Sequence, residues 1–261
     1  MTVLPRIHHL NCGTLKPIFP HVPGICYCAL LETQNGLILV DTALGTRDYL
    51  RPTLPVRGFT AANRMPCDLE ETAVRRVQQL GFAPRDVQHI VMTHLHIDHT
   101  GGLPDFPDAQ VHIHQPEYAT AMHPRGPLAW VEYIPAHWAH GPHWTLHSEA
   151  TGSWFGFESI RVLSDESYEV LLIPLPGHTP GHCGVALRAY DRWLFVLGDA
   201  APPFYNPEWE QRYGPPPPWL LRFVGADRHL PRLQTLWREQ GDQVQFMFSH
   251  DVLTFDELQK T

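Results

Sequence analysis

No uncharged stretch of the 261 residues approaches the roughly 20 apolar positions a membrane-spanning helix needs, so no membrane partner is expected. The opening stretch from Met1 to Leu10 has no basic segment leading into an apolar run. No signal peptide is read there, and a cytoplasmic setting is expected. Basic residues are in deficit: 19 Lys and Arg face 27 Asp and Glu, a formal charge of −8. A surface of that sign suits polyanions poorly, which argues against a nucleic-acid partner. Cysteines number only 5, an odd count without C-x-x-C spacing, which fits reduced thiols. Cys26 and Cys28 share one face of an expected strand, where core packing is expected rather than metal binding.

Histidine is plentiful, with 18 in the chain, and its densest cluster carries the chemistry. His94, His96, Asp98 and His99 fall within six positions and run into Gly101-Gly102. Imidazole and carboxylate are the donors that suit zinc and its neighbours, and a catalytic ion takes about three of them plus an open position. In a His-rich chain some clustering arises by chance, but a fixed H-x-H-x-D-H spacing before two glycines points to metal.

Along the chain, residues 24–33 and 36–41 are apolar runs around Gln34-Asn35-Gly36, a hairpin signal. Asp41 ends the second run, either as a turn-former or as a carboxylate that orients a ligand. Residues 44–66 look like a surface loop. Asp68, with Glu71 three residues on, opens a helix whose stripe is Leu69, Ala73, Val77 and Leu80, closed by Gly81. Residues 87–93 form a strand that stops where the histidine cluster begins. His112 and His114 lie opposite Val111 and Ile113 on the next strand, and are read as solvent-side or orienting residues rather than ligands. Residues 122–157 lose periodicity and gain aromatics, including Trp130, Tyr133 and Trp138. This segment is read as a lid or wall inserted into the sheet framework, with a subunit interface or a satellite core as the alternative use of such aromatics. Further strands end at His178, at Asp199 and at His250, with a helix near 227–240 before the last. A single α/β domain over residues 1–261 accounts for the length, with an aromatic-rich insertion around 122–157 and a proline-rich loop around 200–218.

Strand after strand thus ends on a donor: His94, His96, Asp98 and His99, then His178, Asp199 and His250. Seven donors serve two ions when one carboxylate bridges them. These stations resemble those of the metallo-β-lactamase fold superfamily, from about Gly24 to His250. The resemblance implies a four-layer αβ/βα sandwich. It places one ion on His94, His96 and His178, the other on Asp98, His99 and His250, and Asp199 between them. Asp41 matches the superfamily's acidic residue after an early strand. Two divalent ions would share a water and generate hydroxide near neutral pH. Asp98 is the expected proton carrier, and Asp199 holds the pair together. His96, where redox members place a glutamate, favours hydrolysis. Zinc is the first expectation, while iron, manganese and cobalt also suit these donors.

Within the superfamily the pattern is closest to N-acyl homoserine lactonases and related esterases. β-Lactamases lack the aspartate at the Asp199 station. Glyoxalase II-like thioesterases add a helical C-terminal region, whereas position 250 of 261 leaves 11 residues here. Ribonuclease Z-like members would carry a basic extension. His250-Asp251 resembles the lactonases' last ligand pair, but Pro202 stands where they carry tyrosine. Tyr205 is the expected substitute. Trp130, Tyr133, Phe204 and Tyr205 are expected to line an apolar pocket for a hydrophobic lactone or ester, a homodimer interface being the competing use of these aromatics. Thioester and phosphotriester hydrolysis are alternatives on the same fold, and a non-hydrolytic metal sensor is the alternative outside it.

Overall fold

The computed structural model describes residues 5–19, 21–126, 128–216, 218–223 and 225–260. Met1 to Leu4, Pro127 and Pro217, which belong to stretches read above, lie outside them. Strands β1 (Arg6–Leu15), β2 (Gly24–Thr33), β3 (Gly36–Val40), β4 (Val87–Val91), β5 (Gln110–His114) and β6 (His143–His147) form one sheet in that order. Its first three strands are antiparallel and its last four parallel. Strands β7 (Gly152–Trp154), β8 (Phe157–Ser164), β9 (Tyr168–Pro174), β10 (Cys183–Ala189), β11 (Arg192–Val196) and β12 (Val244–Met247) form the second, in the order β12-β11-β10-β9-β8-β7.

Side-chain alternation along β2 explains how the layers are held. Ile25, Tyr27, Ala29 and Leu31 face the space between the sheets, where they share a core with Leu172, Val185 and Val196 of the second sheet. Cys26, Cys28 and Leu30 face outward into a second core. That core is closed by helices α1 (Thr46–Leu50), α2 (Leu54–Ala62) and α3 (Ala73–Gln79), through residues such as Val56 and Val77. In chain order there follow α4 (Ile97–Thr100), α5 (Gln115–Met122), α6 (Ala129–Glu132), α7 (Pro207–Tyr213), α8 (Pro218–Phe223), α9 (Leu230–Gln240) and α10 (Val252–Leu258). Leu233 and Leu236 of α9 cover Phe195 and Phe246 on the outer face of the second sheet. Helices, sheet, sheet and helices make the expected four-layer sandwich.

Several local expectations are corrected. The 44–66 stretch is no plain loop: it holds α1 and α2, the latter capped by Thr53, whose hydroxyl accepts from Val56 N. The helix expected from Asp68 breaks at Thr72 into a 3-10 turn and α3, and Leu80 is left exposed. Glu71 does not complete a capping box; its carboxylate accepts from Thr14 N and Thr14 Oγ1 at 2.7 Å each. Part of the aromatic insertion is sheet, with β6 on the edge of one and β7 on the edge of the other. Residues 200–218 include helix α7, capped by Asn206. Strand β1 has no expectation behind it, because its sequence lacks alternation and only pairing with β2 makes it a strand.

Candidate metal centre

All five stations sit at strand C-terminal ends, on the same rim of the sandwich. Strand β3 delivers Asp41, β4 the 94–99 cluster, β9 the loop of His178, β11 Asp199 and β12 His250. Strand ends are rigid while the loops beyond them are open to solvent, so donors far apart in sequence can converge there. The Gly101-Gly102 pair lets the cluster pack onto the chain after β3. A Cβ at Gly101 would lie 2.0 Å from Asp48 Oδ2 and 2.8 Å from Gly45 N.

Asp199 is the centre of the arrangement. Its Oδ2 lies 3.5 Å from His178 Nε2, 3.7 Å from His99 Nε2 and 4.0 Å from His94 Nε2, and its Oδ1 lies 3.4 Å from His250 Nε2. His96 Nδ1 is 3.0 Å from His178 Nε2. Asp98 reaches His250 Nε2 at 3.5 Å and His99 Nε2 at 3.9 Å. The structure therefore brings all seven expected donors together. Cys26 packs in the outer core as expected, yet its thiol also falls within 4.8 Å of the donor atoms of Asp98 and His250.

Three of the imidazoles are turned by a second bond. Asp41, at φ 56°, accepts from His99 Nδ1 at 2.8 Å, from Thr93 N at 2.8 Å and from Thr93 Oγ1 at 2.7 Å. His250 Nδ1 donates to Ile25 O at 2.8 Å, and His94 Nδ1 donates to Thr93 Oγ1 at 3.1 Å. The Nε2 atoms of all three are thereby left facing Asp199, which is how outer carboxylates and carbonyls orient histidine ligands.

The donor set fits divalent cations. His94 Nε2, His99 Nε2 and Asp199 Oδ1 are buried without a hydrogen-bond partner among the described residues, an arrangement that is costly unless a cation meets them. Burial drives the His94 and His96 pKa values well below the imidazole range, so both are the neutral donors a metal takes. For His99 burial acts the same way, but the Asp41 and Asp98 carboxylates outweigh it and raise the pKa well above normal. At His250 the nearby Asp199 likewise overcomes burial and lifts the pKa to about 9. Burial raises the Asp199 pKa, while His250 and His99 outweigh that and hold it well below the carboxylate range. This half of the site draws positive charge from whatever source is present.

The pocket expectations are partly overturned. Tyr205 is buried in the outer core of the second sheet, where its hydroxyl accepts from Phe248 N, so it does not substitute for the lactonase tyrosine. Phe204 packs edge-on against Tyr205 and Phe246 in the same core. Trp130 is 60% exposed and lines neither the cleft beside Asp199 and His250 nor the one that opens onto His96 and Asp98. Tyr133 does reach the site: its ring stands edge-on to His96, with centroids 5.0 Å apart. The aromatics that line a cleft of about 500 Å³ beside His178, Asp199 and His250 are Trp209, Tyr213 and Phe248. A second cleft of about 710 Å³, lined by Leu54, Phe59 and Val131, opens onto His96 and Asp98. Tyr205→Phe is thus expected to leave kcat/KM unchanged while lowering stability by about 1–3 kcal/mol, because the Phe248 amide loses its acceptor. Urea unfolding alongside steady-state kinetics checks this.

Other residues went unread in the sequence, or were read without their partners. His182 is fully buried, accepts from Asp199 N through Nε2 at 3.0 Å, and lies 5.0 Å from His94 between ring centroids. Asp48, His137 and Thr100, the last residue of α4, form a buried row with contacts of 3.1 and 2.8 Å. His112 is not solvent-side: it is buried between His89 and His147, 3.0 Å from each. His114 donates from Nδ1 to Gly181 O in the His178 loop. Asp251 caps α10, accepting from Leu253 N and Thr254 N. None of these roles leaves a mark in spacing, since each depends on its three-dimensional surroundings.

Known proteins carry the same frame. The chain is similar to a "probable metallo-hydrolase" of Mycobacterium tuberculosis, at 40% identity over 201 residues, 77% of this chain and 63% of that protein. The match spans less than two thirds of that relative's length. An N-acyl homoserine lactonase of a Bacillus species is 29% identical over 161 residues, 60% of this chain and 55% of its own. A solved N-acyl homoserine lactone hydrolase, with N-hexanoyl-L-homoserine at its catalytic metal centre, superposes with a TM-score of 0.68 at 20% identity, covering 98% of this chain and 97% of that one. The sequence profile of the metallo-beta-lactamase superfamily runs over residues 21–252, from before β2 to the start of α10. Profile, sandwich and the rim of converging strand ends agree: the chain belongs to the metallo-beta-lactamase superfamily.

Proposed function

We propose that this protein is a dinuclear metal-dependent hydrolase, and that its substrate is a hydrophobic lactone or carboxylic ester. The observation that carries the reading is the convergence of four imidazole nitrogens within 3.4–4.0 Å of the Asp199 carboxylate. In this reading His94, His96 and His178 hold one ion and Asp98, His99 and His250 the other, with Asp199 between them. Zinc is the expected metal. When bound, such ions supply an acidified water as nucleophile and a Lewis acid for the scissile carbonyl.

The chain's own groups do the rest. Asp41 and the Ile25 carbonyl fix the ring faces of His99 and His250, so no reorganisation is needed during reaction. Asp98, on the first turn of α4, is the carboxylate placed to take the nucleophile's proton and return it to the leaving alkoxide. Trp209, Tyr213 and Phe248 exclude water from the cleft and hold an acyl chain or ring. Pro202 stands at the sequence position of the lactonase tyrosine, and Tyr205 is held in the core.

Metal-reconstituted protein screened against lactones of graded acyl length, esters, thioesters, β-lactams and phosphotriesters tests the proposal. Lactones or esters are expected to be cleaved, with kcat/KM rising with acyl length. Trp209→Ala should lower kcat/KM on the longest substrates roughly 10-fold, as the loss of one aromatic contact surface predicts. Turnover of thioesters or phosphotriesters without any lactone or ester turnover would refute the substrate class.

A further inference from the structure

The loops that carry His96 and His178 come from different sheets, yet one buried side chain joins them. Glu117 lies in the first turn of α5, directly after β5, and is fully buried. Its Oε1 accepts from Leu95 N at 2.9 Å and from Tyr133 Oη at 3.3 Å. Its Oε2 accepts from Thr179 Oγ1 and from Gly181 N, the latter at 3.2 Å. Leu95 lies between His94 and His96, Thr179 follows His178, and Tyr133 stands edge-on to His96. The contact is too close for any side chain at position 181, where a Cβ would fall 2.0 Å from Glu117 N. His114 reinforces the same junction through Gly181 O at 2.9 Å.

All four partners are neutral donors, and a carboxylate accepts from every one of them. Among the described residues no cationic side chain lies against it, so these four hydrogen bonds are what satisfy the carboxylate. Its oxygens reach one step beyond His96 and His178 and touch no bond that orients His99 or His250.

We infer that Glu117 is a positioning residue that sets His96 against His178, and so controls the ion on His94, His96 and His178 selectively. The inference rests on the two-ion reading above. Its consequence is asymmetry: losing the strut loosens one ion and spares the other.

The test uses the full-length protein loaded with zinc, and separately with cobalt(II). Glu117→Gln keeps the volume, but its amide turns a donor toward Thr179 or Gly181, where acceptance is needed. In chelator competition, the variant should release one ion about 10–100-fold more readily than wild type and keep the other unchanged. The cobalt absorption spectrum should lose the contribution of one ion. Unchanged release of both ions, or equal weakening of both, would overturn the inference. Thr179→Val and Tyr133→Phe each remove one donor while leaving Glu117, and should loosen the same ion to a smaller degree. If Glu117→Gln does not fold, these two decide, and unaltered metal release in both overturns the inference. A wild-type protein that takes up fewer than two ions sinks the two-ion reading itself, an outcome separable from any variant's result.

Discussion

Asp199→Ala is expected to strip the protein of metal and bring hydrolysis down to the level of chelator-treated wild type. The reason is geometric. Asp199 is the one carboxylate among the described residues that faces His94, His99, His178 and His250 together, at 3.4–4.0 Å. Removing it deletes a donor from both halves of the site and leaves four imidazoles facing one another around a cavity. Neighbouring cations would then repel without an anion between them. Loss of activity by at least about 100-fold is expected, since changes one bond removed from a metal already cost 10–100-fold and this carboxylate lies closer. Metal analysis of the purified variant, together with add-back of zinc, manganese and cobalt to chelated wild type, checks it. Retained metal with retained turnover would remove Asp199 from the centre.

Asp41→Ala should have the second largest effect, and on two observables. Asp41 and His99 are both buried, and the carboxylate accepts three hydrogen bonds at 2.7–2.8 Å. Its deletion leaves Thr93 N and His99 Nδ1 without acceptors in a dry environment. It also places alanine at φ 56°, a left-handed backbone that Asp and Asn tolerate better. Breaking a buried pair of this kind costs about 3–5 kcal/mol, to be read by urea unfolding of the metal-free protein. Metal affinity should also fall about 10–100-fold. Asp41→Asn keeps the backbone preference and one acceptor oxygen, so it should be milder in both measurements. Wild-type stability and metal affinity in the alanine variant would mean that His99 needs no orienting partner.

The seven residues that converge at the rim were legible because their types are chemically restricted and they follow apolar runs. His94, His96, Asp98, His99, His178, Asp199 and His250 could be picked out by type and by position at strand ends, without coordinates. The pocket was not legible in the same way. Trp130 and Trp209 look alike in a sequence, yet one is largely exposed and the other lines the cleft beside Asp199. Tyr205, six residues beyond Asp199, has the chain length to reach a reacting carbonyl, but Phe248 N already holds its hydroxyl in the core. An aromatic side chain serves core, cleft and surface equally well, so its use is decided by what packs against it.

The sequence by itself determined an α/β chain with imidazoles and carboxylates at the ends of successive apolar runs, because both are written in local pattern, as in β2 with its two buried faces; the four layers followed from the family resemblance. Asp41 was readable as an orienting carboxylate, but which imidazole it turns, and the other groups that orient these residues, were decided only by the tertiary structure. His182 bonds to a residue 17 positions away once β10 and β11 pair, and Glu117 bonds to one 64 positions away once the two sheets are stacked. Strand β1 and the edge strands β6 and β7 belong to the same class, since pairing with a neighbour makes them strands where their own sequences do not.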